Sequence, residues 1–130
     1  MPLFTVHQFE QLLENGRNPD ADHRPVVKLF TPFAGCTWLL TELDPDNPDI
    51  AFGLCDLGLG FPELGYVYLP EITENMVSLR MLVESDHHFD AKFPISVYAR
   101  AASKACQITE DEKLLVAALA EAQRSEKPSP

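Results

Sequence analysis

Apolar positions recur along the chain with two periods, and the switches between them mark out the elements. Phe9, Leu12 and Leu13 share one face of a helix over residues 5–15, with Thr5 as its N-cap and Gly16 as its stop. Residues 18–25 are a polar turn region broken by Pro19 and Pro25. Four short β-rich runs follow, at 26–31, 36–43, 50–57 and 65–69, separated by turns rich in Pro, Gly and Asp. Connections this short favour antiparallel neighbours in a meander. Pro70 opens a short helix that ends before Val77, with Glu71 and Glu74 favourably placed near its N-terminus. Residues 79–84 read as a fifth, edge strand, and 85–92 as a polar loop. A helix over 94–106 places Ile95, Tyr98 and Ala102 on one side. Thr109-Glu110-Asp111-Glu112 matches a capping box and starts a last helix to about Gln123, with Leu114, Leu115, Ala118 and Leu119 as its stripe.

The fold expected from this pattern is α+β, an antiparallel four- to five-stranded meander sheet packed with two to three helices. One domain spans 1–124, and 125–130 form a flexible C-terminal tail. On the second strand the inward set is either Trp38 and Leu40 or Leu39 and Leu43. Both sets are apolar, so the strand is expected to be covered on both faces.

Composition narrows the class. A chain of 130 residues with 45% hydrophobic residues is too apolar to be disordered, and large enough for one core without staples. Its apolar runs are too short to span a membrane. A net charge of −10 argues against direct nucleic-acid binding. Cys36, Cys55 and Cys106 have no CxxC spacing, which speaks against a zinc or disulfide framework. The first residues show no basic segment ahead of an apolar one, so a cytoplasmic, reducing location is expected.

The distribution of charge is more informative than its sum. Between Lys28 and Arg80 there is neither lysine nor arginine, and these 51 residues hold eight acids: Glu42, Asp44, Asp46, Asp49, Asp56, Glu63, Glu71 and Glu74. Such a surface either keeps a small protein soluble or meets a basic partner. Imitation of duplex DNA needs a dense row of carboxylates, and eight make only a short one.

Few residues suggest chemistry. Glu84-Ser85-Asp86-His87-His88-Phe89-Asp90 gathers nitrogen and oxygen donors. Adjacent histidines in an extended segment point oppositely, however, so an exposed loop without metal is expected. Asp56 interrupts an apolar strand. It is a carboxylate capping the glycines after it, a partner of Lys28 or Thr37, or a binding-site acid beside Trp38. The glycines of 58–65 match no phosphate loop, and no nucleophile–base pair stands at a diagnostic spacing. No cofactor and no catalytic residue are indicated. Phe33, Phe61, Tyr66 and Tyr68 are candidates for exposed aromatic surface, which beside acids suits a protein interface.

The central blocks Pro25-Val26-Val27-Lys28-Leu29-Phe30-Thr31-Pro32, Thr37-Trp38-Leu39-Leu40-Thr41-Glu42-Leu43-Asp44-Pro45, Ala51-Phe52-Gly53-Leu54-Cys55-Asp56-Leu57-Gly58-Leu59-Gly60 and Pro62-Glu63-Leu64-Gly65 resemble, in combination, a bacterial family known only as domain of unknown function 2958. The resemblance covers about residues 5–102. The family's members look like accessory proteins of plasmids, integrative elements and phages, often beside anti-restriction genes. The resemblance therefore implies an accessory or anti-defence role, and no catalytic residue. The His87-His88 pair and the tail beyond residue 103 depart from the family pattern.

The expected function is thus a small acidic accessory protein of mobile genetic elements. It would present Glu42, Asp44, Asp46, Asp49, Asp56 and Glu63 to a protein with a basic surface, with Trp38, Phe61, Tyr66 or Tyr68 as apolar anchors. The alternative is a small-ligand or enzymatic domain with a pocket near Lys28, Trp38 and Asp56. The oligomeric state is left open.

Overall fold

A computed structural model describes residues 3–75 and 82–126. Helix α1, Val6–Gly16, is opened by a complete capping box. The Thr5 hydroxyl accepts from the Gln8 N–H at 3.1 Å, and the Gln8 side chain accepts from the Thr5 N–H at 2.9 Å. Leu12 is fully buried, whereas Phe9 stays partly exposed. Gly16 is not the stop expected of it. It is the last helical residue, and Arg17 closes the helix in the right-handed region. Glycine is needed there for close packing, because a Cβ would lie 1.9 Å from the Leu43 carbonyl oxygen.

The sheet contains β1 (Val27–Phe30), β2 (Thr37–Leu43), β3 (Ile50–Asp56), β4 (Glu63–Tyr68) and β5 (Glu84–Ser85). Its order is β4-β3-β2-β1-β5, with every pairing antiparallel. The meander is as expected, with two shifts. β4 starts at Glu63 rather than Gly65, immediately after Pro62, which has no N–H to give to a ladder. The fifth strand is only two residues, opposite Leu29 and Phe30; the expected residues 79–81 lie outside the described residues. Between β4 and β5, Glu71–Asn75 form a π-helical turn where the short helix after Pro70 is expected.

A bulge between Leu40 and Glu42 changes which side chains share a face of β2. Trp38, Leu40 and Leu43 all pack on the α1 side with Leu12, Val27, Leu29 and Ala51. Leu39 alone joins the other layer, so Leu43 belongs with Trp38 rather than with Leu39. The displaced Thr41 is buried; its carbonyl accepts from the Asn15 side chain at 2.9 Å, and its hydroxyl bonds the Phe52 carbonyl at 3.2 Å. Strand β2 is covered on both faces, as expected.

The second layer is α2 (Ile95–Ala105) and α3 (Glu112–Glu126). Ile95, Val97, Tyr98, Ala101 and Ala102 pack with Leu39 and Leu54 of the sheet and with Leu115 and Ala118 of α3. Asp22, far off in sequence, caps α2 by accepting from the Ser96 N–H at 3.1 Å and from its hydroxyl. The capping box at Thr109 does not form. Asp111 takes that role, accepting from the Lys113 N–H at 2.9 Å, while its own N–H bonds Thr109. Leu114 of the expected stripe faces outward. Helix α3 runs to Glu126, three residues past its expected end, so it occupies the first two residues of the expected tail; 127–130 lie outside the described residues.

Candidate functional site

The β2–β3 and β1–β2 turns lie at opposite ends of the sheet, and this separates the candidate residues. Asp44, Asp46 and Asp49 stand exposed on the β2–β3 turn. That turn is held by an Asx bond from the Asp46 N–H to Asp44 Oδ1 at 2.9 Å. The Leu69 N–H bonds the Asp49 carbonyl at 2.8 Å, which ties the end of β4 to this turn. Glu71 and Glu74 follow, both exposed.

Two tyrosines are carried to the same end by the period-two alternation of β4. Tyr68 pairs with Ile50 and Tyr66 with Phe52, whose other neighbour is Glu42. These side chains share the face that Leu54 presents to α2, but α2 and α3 leave this corner open. Tyr66 is 80% exposed and Tyr68 47%. The Tyr66 and Phe52 rings meet edge to face, with centroids 5.2 Å apart. Gly16, Pro19, Glu42, Asp44, Phe52 and Tyr66 enclose part of a cleft of about 190 Å³.

Glu42 is the half-buried acid of this group. Burial pushes its pKa above the ordinary 4.5, partly offset by the nearby His23. The ionised form is thus the disfavoured one in the folded protein. The penalty is absent where Glu42 is protonated both folded and unfolded, and it develops as pH rises from 4.5 through the raised value. At pH 7, Glu42→Gln is expected to melt at or slightly above the wild-type temperature. A clear fall in melting temperature would contradict this.

The other expected site residues lie elsewhere. Trp38 is only 3% exposed and faces α1, so it cannot anchor a partner. Glu63 is exposed at the far end of β4, opposite Cys55 on the α1 side. Asp56 is 4% exposed, with Oδ1 accepting from the Gly58 N–H and Oδ2 from the Ile108 N–H, both at 2.9 Å. It caps its own turn and fastens the α2–α3 connection to the sheet, which is a structural role. Lys28 pairs with Glu110 at 2.6 Å and Asp86 at 3.7 Å. Lys28 and Asp56 are on the α2 face of the sheet and Trp38 on the α1 face, so the three do not line one pocket. Burial pushes the Cys55 thiol up to about 11, which leaves no thiolate nucleophile at neutral pH. His87 and His88 are exposed; the His88 N–H bonds Asp86 Oδ1 at 2.9 Å in a turn. Among the described residues no three His, Cys, Asp or Glu side chains converge to hold a metal ion, and no helix is long and apolar enough to cross a membrane.

Phe33 and Phe61 are exposed as expected, but at the end opposite the acidic turn. Leu57 and Leu59 are exposed beside them. The two loops touch, since a Cβ on Gly58 would lie 3.2 Å from the Gly35 carbonyl oxygen. The sheet therefore has an acid-and-tyrosine end and an apolar end.

Residue counting missed Phe52 and Ile50 as walls of the acidic corner. The signal is the matched alternation of Ile50-x-Phe52 and Tyr66-x-Tyr68, which puts all four side chains on one face.

A family model described as a protein of unknown function, DUF2958, matches residues 3–109, and the chain belongs to that family. No curated protein and no solved structure matches it. The matched region includes the whole acid-and-tyrosine corner and stops just before α3.

Proposed function

We propose that this DUF2958 member is a non-enzymatic accessory protein that docks a protein partner with a basic surface on its acid-and-tyrosine end. The observation that carries this reading is the convergence of Tyr66, Tyr68, Glu42 and the Asp44–Asp49 turn in a stretch without lysine or arginine. Tyrosines left open by both helical layers supply area at low entropic cost, and the acids supply on-rate and selectivity. The separation of Lys28 and Asp56 from Trp38, on opposite faces of the sheet, weighs against the enzymatic pocket expected among those three. The partner we favour is a host defence protein whose basic surface ordinarily meets nucleic acid, with this chain made in the cytoplasm from a plasmid or another mobile element. Long-range imitation of DNA is less suited, because Asp56 is buried and Glu63 sits at the other end.

Affinity capture from a bacterial lysate at 50 and 300 mM salt tests the reading, with wild type beside a variant carrying Asp44→Asn, Asp46→Asn and Asp49→Asn. Asparagine keeps the Oδ1 acceptor, so the turn survives the change. A basic protein is expected on the wild type at low salt, depleted at least about tenfold by the higher salt or by the variant. Equal retention by both chains, or no basic protein on either, would overturn it.

A further inference from the structure

The cleft at the acidic corner is too small for a nucleotide or a metabolite of ordinary size, since such ligands occupy roughly 300–1,000 Å³. Its volume of about 190 Å³ suits one side chain. Its walls are specific in character. Phe52 stands at the centre of a row across three strands, with Glu42 on one side and Tyr66 on the other. Tyr66 and Phe52 meet at an interplanar angle of 64°, which leaves the exposed Tyr66 ring free to take a flat group on its face. Among the described residues Glu42 has no hydrogen bond or ion pair, and Asp44 uses Oδ1 for the Asp46 N–H. The neighbouring bases do not fill the role: His23, whose charge acts on Glu42, spends its Nε2 on the Asn18 carbonyl at 2.7 Å, and Arg17 is bonded to Glu14 at 2.8 Å.

We infer that this cleft is the anchor site for a single arginine side chain of the partner, its guanidinium on the Tyr66 ring and its N–H groups directed to Glu42 and Asp44. This rests on the docking reading above and names the group that reading requires. Arginine fits better than lysine, because its planar head stacks on an aromatic face while its fork of donors serves two carboxylates. It also sheds water more readily than an ammonium does.

The test is titration of the ¹⁵N-labelled protein with N-acetyl-arginine methylamide, read from the amide signals of Phe52 and Tyr66. The citrulline analogue, equal in shape and uncharged, is the control. Saturable shifts with a Kd of about 10 mM are expected for arginine, with citrulline at least about tenfold weaker. Tyr66→Ser and Glu42→Gln should each weaken the arginine response severalfold, and Tyr66→Phe should preserve it. The same spectra show that each variant is folded. Equal shifts from citrulline, or wild-type binding by Tyr66→Ser, would overturn the inference. Salt-sensitive capture of a basic protein without a response to arginine would remove the cleft assignment alone. Arginine binding without such capture would remove the docking reading instead.

Discussion

Gly53→Ala is expected to be severely damaging for so small a substitution, costing about 3–5 kcal/mol and lowering the melting temperature by roughly 10–20 °C. Gly53 sits mid-strand in β3, between β2 and β4. A Cβ there would lie 2.0 Å from the Leu39 carbonyl oxygen and 2.8 Å from Leu40 Cα. Both obstacles are backbone, so no rotamer change relieves them, and β2 and β3 must part. They would part where the bulge begins, which also moves Glu42 and the cleft. Gly65→Ala in β4 is the matched control, because its added Cβ meets nothing within 4 Å. It should stay within about 1 kcal/mol of wild type. Urea unfolding of the two variants checks the claim, and near-equal midpoints would contradict it.

Asp56→Ala is expected to cost about 3 kcal/mol without altering partner binding at temperatures where the variant is folded. The change strands the Gly58 and Ile108 N–H groups, which lose the carboxylate they share. Asp56→Asn should fall in between, since one oxygen remains while the new amide turns its donors toward an N–H. Thermal melts with parallel capture assays separate the roles. A stable Asp56→Ala variant that no longer binds would mean that the carboxylate serves the partner after all.

The meander was legible because each run is bounded by residues with strong turn chemistry. Thr5 and Gln8 likewise announce α1, and the whole capping box is local. What escaped the sequence depended on distant backbone. Thr41-Glu42-Leu43 reads as an ordinary alternation, and only pairing with β3 reveals the bulge that turns Leu43 toward α1. Gly16 looks like a helix stop because glycine suits that place; its true constraint is the Leu43 carbonyl, 27 positions later. Asp111 caps the helix in place of Thr109, two residues earlier, which capping-box spacing alone does not decide. Half of Asp56's role was visible in the glycines after it, but its bond to Ile108 was not.

For the candidate site, the gap in basic residues measures charge along the chain rather than in space. Folding sends Asp56 inward and Glu63 to the far end, while Glu42 and the three turn aspartates stay near the tyrosines. Trp38 was an attractive anchor by residue type alone. A strand buried on both faces has no way to offer it. Tyr66 and Tyr68 are exposed because β4 is an edge strand, and residues two apart on an incompletely covered face emerge together.

Amide hydrogen exchange on the complex with the captured basic protein tests the central claim most directly. The account predicts slower exchange over residues 42–52 and 64–69, with little change in the apolar loops 31–36 and 57–61 or in α3. Protection confined to those loops or to α3, with the acidic turn exchanging as in the free protein, would contradict it.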